Sequence, residues 1–364
     1  MNALVDASAL ESVQQLHANL RRLSGQHVLF GHQETLAYGY DWIGEKDRSD
    51  VREVTGAYPS VYGWDFYPLT AHHADDRYGM TRDNLLNWVR QGAARGGVIT
   101  FSWHAPNPVT GGNFNDKTPA VAAILPGGKA HAKFCDLLDE LADFFQAAAP
   151  IPIVFRPYHE HNGDWFWWGK GPATEKEFIS LWRFTVEYLR DRKGVHNLLY
   201  AFSPDRSRLR PESEQDYFYA YPGDDYVDIL GLDNYYDVGS HWNQASPDQQ
   251  KADFIKSLEL VVKLAEQHHK IPALTESGLD QLKIPHWWMD RLYAGLNANA
   301  QTRKIAYVLV WRNANRSAEG ADHFHVPHRG HPGVEDFKAF KNTDLILFED
   351  ELPGWFTGHN GPKE

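Results

Sequence analysis

Cysteine is nearly missing: Cys135 stands alone among 364 residues, which excludes an internal disulfide framework and any multi-thiolate metal centre. Long apolar runs are missing too. No stretch approaches the roughly 18 uninterrupted apolar residues of a membrane span, and the opening MNALVDASALESVQQLHANLRRL is polar and helical in pattern rather than a signal peptide. Basic residues are outnumbered, 36 Lys and Arg against 48 Asp and Glu, and the resulting formal charge of −12 opposes a phosphate backbone. Nucleic acid is not an expected partner. The chain also lacks a Pro/Ser linker, low-complexity tracts and repeats of solenoid period. Aromatic residues, in contrast, are abundant. The 13 Trp, 17 Tyr and 19 Phe include several in polar surroundings, where flat-faced ligands are a better explanation than core filling.

Eight short apolar runs, rich in β-branched and aromatic residues and bounded by Gly, Pro or Asn, recur along the chain. They are HVLFGHQ (27–33), PSVYGWDF (59–66), GGVITFSWH (97–104), IPIVFRPYHE (151–160), NLLYAFSPD (197–205), VDILGLDNY (227–235), KIPALTESG (270–278) and KIAYVLVWRN (304–313). Helical patterns such as AKFCDLLDELADFFQAA and KADFIKSLELVVKLAEQHH separate them. Strands alternating with helices, without a glycine-rich dinucleotide loop after the first strand, point to an α/β protein of the (β/α)8 TIM-barrel type. A single catalytic domain over 1–364 is expected, with an N-terminal helix and a C-terminal rim extension.

Nearly every run begins apolar and ends in ionisable, amide or aromatic residues, and in a barrel those carboxyl ends gather at one face. Strand alternation places Ile151, Ile153 and Phe155 on one side, with Val154, Arg156, Tyr158 and Glu160 on the other, toward the axis. By the same alternation Thr100, Ser102 and His104 face inward. Arg156 is then an interior cation that needs a carboxylate. Glu160 and Glu276 end the fourth and seventh runs, which are expected to face one another across the barrel. Two carboxyl groups about 5–5.5 Å apart suit retaining glycoside hydrolysis, in which one attacks the anomeric carbon and the other acts as acid and then base. No metal or organic cofactor is required. The competing reading makes each glutamate an interior carboxylate neutralised by Arg156 or Arg312. Trp165, Phe166, Trp167 and Trp168 follow Glu160 directly. Indole faces stack on sugar rings, and an apolar wall keeps a neighbouring acid protonated.

These residues together resemble glycoside hydrolase family 26, typified by β-1,4-mannanases. The resemblance rests on GHQ (31–33), WH (103–104), FRPYHEHNGDWFWWG (155–169), LDNYY (232–236), TESG (275–278) and VWRN (310–313). It implies that Glu160 is the general acid/base and Glu276 the nucleophile. It further implies that His159 contacts the sugar at the cleavage point and that Tyr235 holds Glu276. His104, Trp165, Asp233, Trp311 and Arg312 would line the nearest subsites. A salt bridge involving Asp233 or Arg312 is the structural alternative for those two.

The implied activity is a retaining β-1,4-mannan hydrolase, endo-acting or mannobiose-releasing, on β-mannan polysaccharide or manno-oligosaccharides. The same mechanism on mixed-linkage glucan or β-1,3-xylan is the alternative, and a non-catalytic carbohydrate-binding barrel is the alternative of another class. The loop 110–128 and the His-rich stretch HFHVPHRGH (323–331) are the segments able to block the cleft and so decide the mode of attack. The His-rich stretch could take up adventitious divalent metal but reads first as a rim loop. No metal is assigned to the reaction, nor is a membrane-spanning segment. A polymeric substrate makes a secreted or periplasmic monomer the expectation, with an export signal outside this sequence and a lipid-anchored precursor conceivable.

Overall fold

The computed structural model describes residues 4–71 and 78–357. Eight parallel strands form the barrel: β1 Val28–Gln33, β2 Val61–Asp65, β3 Val98–Trp103, β4 Ile153–Pro157, β5 Leu198–Phe202, β6 Ile229–Asn234, β7 Ile271–Ser277 and β8 Tyr307–Val310. Each pairs with the next, and β8 returns to pair with β1, so the sheet closes. Helices fill the crossovers, including Arg82–Ala94, His131–Ala148, Glu175–Glu187 and Pro247–Gln267. The expected (β/α)8 barrel is the observed fold.

Alternation along the strands sorts side chains into two shells. Leu29, Val61, Val98, Val154, Leu199, Ile229 and Ile271 fill the barrel interior, whereas Phe30, Tyr62, Ile99, Phe101 and Phe155 pack outward under the helices. Each such side chain, fully buried, contributes about 1.5–3 kcal/mol. The helix starts are locally determined as well. Thr174 and Glu177 form a reciprocal capping box ahead of Glu175–Glu187, and Ser246 caps Pro247–Gln267, whose Pro occupies the first turn where an N–H is not needed.

The two ends of the barrel are treated differently. At the amino ends of the strands, the helix Glu11–Leu23 buries Val13, Leu16, Leu20 and Leu23 against the interior cluster and plugs the floor. The C-terminal segment joins it there. The short strand Ile346–Leu347 pairs with β1, and Leu352 and Phe356 enter the same cluster. The stretch after β8 stays at the opposite rim, whereas residues 346–356 return to the floor. Among the described residues, no helix is long and apolar enough to cross a membrane.

Two local departures from regular strand geometry matter for the site. β4 stops at Pro157, and Tyr158 and Glu160 both take left-handed backbone conformations, with φ of 51° and 54°. The alternation expected through residue 160 therefore breaks. Tyr158 turns outward, where its hydroxyl bonds Thr185 and its ring packs near Trp103, Trp167 and Trp182. In β7 the register against β6 slips between Leu274 and Glu276, so that Thr275 is an extra residue in the ladder. Simple alternation from Ile271 and Ala273 would send Thr275 inward and Glu276 out to the helices. The bulge lets both face the interior, a device that recurs where strands must re-aim a side chain.

Candidate functional site

The carboxyl ends of the strands enclose a floor of buried polar groups and a partly exposed ring above it. Arg156 occupies the floor. Its Nη1 donates to Asp233 Oδ2 at 2.8 Å and to Ser203, and its Nη2 donates to Glu276 Oε1. Asp233 is fully buried and also accepts from Thr275 Oγ1 at 2.7 Å. It thus lies beneath the cleft, behind Arg156, rather than lining a subsite. Glu276 is 4% exposed, and its second oxygen accepts from the Tyr235 hydroxyl at 2.9 Å. Burial and the neighbouring Glu276 hold the Tyr235 phenol well above its ordinary range, so it stays a donor. Both oxygens of Glu276 are therefore held, one by Arg156 and the other by Tyr235.

Glu160 reaches the same space from the other side. Strands β4 and β7 stand three places apart round the ring rather than directly opposite, yet an oxygen of Glu160 and one of Glu276 lie within 4.8 Å of each other. Glu160 has no arginine partner among its described contacts. Its Oε2 accepts from Trp165 Nε1 at 2.7 Å, and its backbone N–H is tied to the Ser203 carbonyl at 2.8 Å. Desolvation, reinforced by the negative charges of Asp205, Asp233 and Glu276, holds the Glu160 carboxyl well above the ordinary carboxylate range; the Trp165 hydrogen bond works in the opposite sense. Glu160 is thus kept protonated by burial and like charge, while Glu276 is held in place by two donors, an arrangement that suits acid-assisted displacement.

The aromatic block after Glu160 divides by role. Trp167 and Trp168 are fully buried, and their indole N–H groups donate to the carbonyls of Ala105 and His159, so they build the wall. Trp165 is partly exposed beside Glu160, with the Arg208 guanidinium 5.3 Å from its ring centroid. A Cβ on Gly163 would sit 2.2 Å from that indole, which is why the backbone there must be glycine.

His159 and His104 form the next part of the ring. Their ring centroids are 4.5 Å apart, and His159 Nε2 is 4.0 Å from Glu276 Oε1. Burial, together with Arg156, pushes the His159 imidazole well below its usual range, so it is neutral. His104 is held by Asp65 at the end of β2: Nδ1 lies 2.8 Å from Oδ2, and the His104 backbone N–H donates to the same carboxylate. Burial opposes the Asp65 charge, but His104, Ser102 and the Tyr67 N–H outweigh it and keep this carboxyl below its usual range. Asp65 and Asp205 are absent from the sequence-derived site. Both stand at strand ends, in WDF and SPD, but their role depends on which side chain each one meets.

Trp311 is partly exposed, 6.0 Å from His104 between ring centroids. Arg312 forms a salt bridge with Glu319 at 2.5 Å, and Glu319 also accepts from the Tyr78 hydroxyl. The salt bridge anticipated for Asp233 or Arg312 exists for both, but with separate partners. Phe114, from the loop 110–128, packs 4.7 Å from His104, so this segment walls one side of the cleft. The His-rich stretch lies along the other, with His325 6.0 Å from Tyr235.

Among the described residues, Arg156 is the cation paired with Asp233 and Glu276, which gives a direct stability prediction. Arg156→Leu leaves Asp233 and Glu276 buried without a counter-charge and is expected to cost about 3–5 kcal/mol. Urea denaturation measures it; a loss below about 1 kcal/mol would show that the cluster does not depend on this pairing.

The sequence profile of glycosyl hydrolase family 26 matches residues 5–309. A mannan endo-1,4-β-mannosidase of Bifidobacterium adolescentis is 34% identical over 95% of this chain and 36% of its own length. One from Bacillus subtilis is 31% identical over 55% of this chain and 56% of its own length. The chain thus spans between about a third and somewhat over half of these curated relatives. Among solved structures, a family 26 β-mannanase of Bacteroides ovatus superposes with a TM-score of 0.85 at 35% identity, covering 97% of this chain and 99% of that one. A modular endo-β-1,4-mannanase of Cellulomonas fimi gives 0.87 at 34% identity, covering 98% and 79%.

Proposed function

Since the chain belongs to glycosyl hydrolase family 26, we propose that it hydrolyses internal β-1,4-mannosidic bonds with retention at the anomeric carbon. The observation that carries this reading is the approach of Glu160 and Glu276 to within 4.8 Å at the carboxyl ends of β4 and β7. So close an approach of one oxygen from each suits double displacement, whose carboxyl groups stand about 5–5.5 Å apart, better than inversion, which needs about 6.5–9.5 Å to admit a water between them. The preference for mannan is supported by the relatives named as mannan endo-1,4-β-mannosidases.

In the first step Glu276 attacks the anomeric carbon while Glu160 transfers its proton to the glycosidic oxygen, and the aglycone leaves as an alcohol. The glycosyl ester on Glu276 is then attacked by water whose proton passes to Glu160, and Glu276 departs as a carboxylate. Arg156 and Tyr235 orient that carboxylate before attack and stabilise it as it leaves. His159, neutral and 4.0 Å from Glu276, is placed to donate to a sugar hydroxyl at the cleavage point. Trp165 and Trp311 supply stacking faces beside it, with Arg312 at the periphery.

The protonation of Glu160 sets the alkaline limb of kcat/KM, because activity falls as pH rises through its elevated pKa. Trp165 donates to the ionised form. Trp165→Phe removes that donor, so the alkaline limb is expected to move to higher pH, with KM raised through weaker stacking. A pH–rate profile that moves to lower pH would contradict the assigned role of this indole.

A second substrate class has one observation in its favour: an endoglucanase H of Acetivibrio thermocellus is 32% identical over 30% of this chain. Product profiling on mannan, glucomannan, mixed-linkage glucan and xylan separates the readings. The expected result is manno-oligosaccharides of mixed length from mannan and glucomannan, with little release from the others. Preferential hydrolysis of mixed-linkage glucan would overturn the mannan assignment, and no hydrolysis of any would favour a binding barrel.

A further inference from the structure

Asp280, His323 and His325 lie outside the reaction just described, yet one donor atom from each falls within 4.8 Å of the other two. They come from different parts of the chain. Asp280 follows β7, and the histidines belong to the rim loop after β8. The two segments are cross-tied: Gln281 N–H donates to the Phe324 carbonyl at 2.8 Å, and the Gln281 amide donates to the Asp322 carbonyl at 2.6 Å. The loop is in turn fixed to the end of β8, since Ala314 N–H bonds the His323 carbonyl and Asn313 Oδ1 accepts from the N–H groups of His325 and Val326. The three donors are therefore carried on a braced frame.

From this arrangement we propose that Asp280, His323 and His325 bind one divalent transition-metal ion, with zinc the best fit. The donor set, two imidazoles and a carboxylate with a fourth position open to water, is one that zinc accepts. The tautomer of His325 is already correct. Its Nδ1 donates to the Arg312 carbonyl at 3.1 Å, which leaves Nε2 as the bare nitrogen, and metal-bound histidines characteristically direct their second nitrogen to such a carbonyl. His325 is only 4% exposed. Its ring packs closely on Gly278, where a Cβ would come within 2.6 Å of it. His323 Nδ1 and Asp280 Oδ1 are 3.0 Å apart. Two ligands of one tetrahedral zinc lie about 3.3 Å apart, given bonds of about 2.0–2.1 Å, so this pair needs little movement to share an ion. Asp280 and His323 remain partly exposed, which gives the ion a route in.

The location makes the site structural for the cleft. His325 packs against Gly278 and faces Tyr235, so a bound ion would pin the segments after β7 and β8 on the side of Glu276 away from Glu160. The site does not depend on which polysaccharide is cleaved.

The test is titration of chelator-treated protein with zinc chloride by calorimetry, alongside thermal unfolding with and without zinc. One equivalent is expected to bind with micromolar or tighter Kd and to raise the unfolding midpoint. His323→Ala and Asp280→Asn, both at partly exposed positions, should each weaken binding at least tenfold and abolish the thermal shift. His328→Ala and His331→Ala should change neither. Cobalt(II) in place of zinc should give visible absorption bands that His323→Ala removes. The proposal is overturned if the wild-type protein takes up no zinc, or if uptake survives in the His323→Ala/Asp280→Asn double variant. Loss of uptake on removing His328 or His331 would equally overturn it, because the ion would then sit elsewhere on the loop.

Discussion

Glu276→Ala is expected to lower kcat on mannan by at least about 10⁴-fold while leaving the affinity for manno-oligosaccharides within a fewfold of the parent protein. The size of the effect follows from what the carboxylate does. It forms the bond that replaces the leaving saccharide, and neither Asp233 nor Glu160 can take its place: Asp233 is fully buried behind Arg156, and Glu160 is engaged as the acid. Affinity is preserved because the stacking faces of Trp165 and Trp311 and the two histidines do not depend on that carboxylate. Removing it also frees one bond of the Arg156 fork, but Asp233 still neutralises the cation. Steady-state kinetics and calorimetric titration of the variant with manno-oligosaccharides measure the two quantities. Turnover within tenfold of the parent would remove Glu276 from the nucleophile role.

Glu160→Ala carries the second large effect, and its signature lies in a ratio. On mannan, whose leaving alcohol needs a proton, the loss should be about 10²–10⁴-fold. On an aryl manno-oligosaccharide with a good leaving group, the first step needs little protonation and survives. The glycosyl-enzyme should then accumulate, because water lacks its base, and appear as a burst of the phenol followed by slow turnover. The alkaline limb of the pH profile, which lies above the ordinary carboxyl range because burial and the charges of Asp205, Asp233 and Glu276 disfavour the anion, should disappear in the variant. Equal losses on both substrates, with the alkaline limb intact, would assign the acid to another group.

Much of this arrangement is legible in the chain itself, for reasons that can be named. The eight strands follow from apolar runs of the right length, and polar residues at their ends follow from the rule that barrel ligands bind at the carboxyl face. Arg156 could be anticipated as an interior cation because alternation in β4 holds as far as Pro157. What alternation could not supply was the geometry past that point. The left-handed turns at Tyr158 and Glu160 and the bulge at Thr275 bring the two glutamates together, and each breaks the period-two rule on which side-chain direction is read. The same limit explains Tyr158, expected toward the axis and found against the helices. Asp233 shows another. Its position at a strand end was evident, but whether a buried carboxylate meets substrate or an arginine depends on a neighbour 77 residues away. Asp65 escaped notice because its task is to hold His104, which only contact reveals. Trp165 could be singled out by its place nearest the acid, but that Trp167 and Trp168 build the wall is seen only from their burial.

The claim on which the account depends is that Glu160 and Glu276 act on one anomeric centre by two successive displacements. Proton NMR of the hydrolysis of a manno-oligosaccharide, recorded before mutarotation, reads this directly. The β-anomer is predicted to appear first and then relax toward equilibrium with the α-anomer. An α-anomer formed first would mean a single displacement by water, and would contradict the mechanism assigned to this pair.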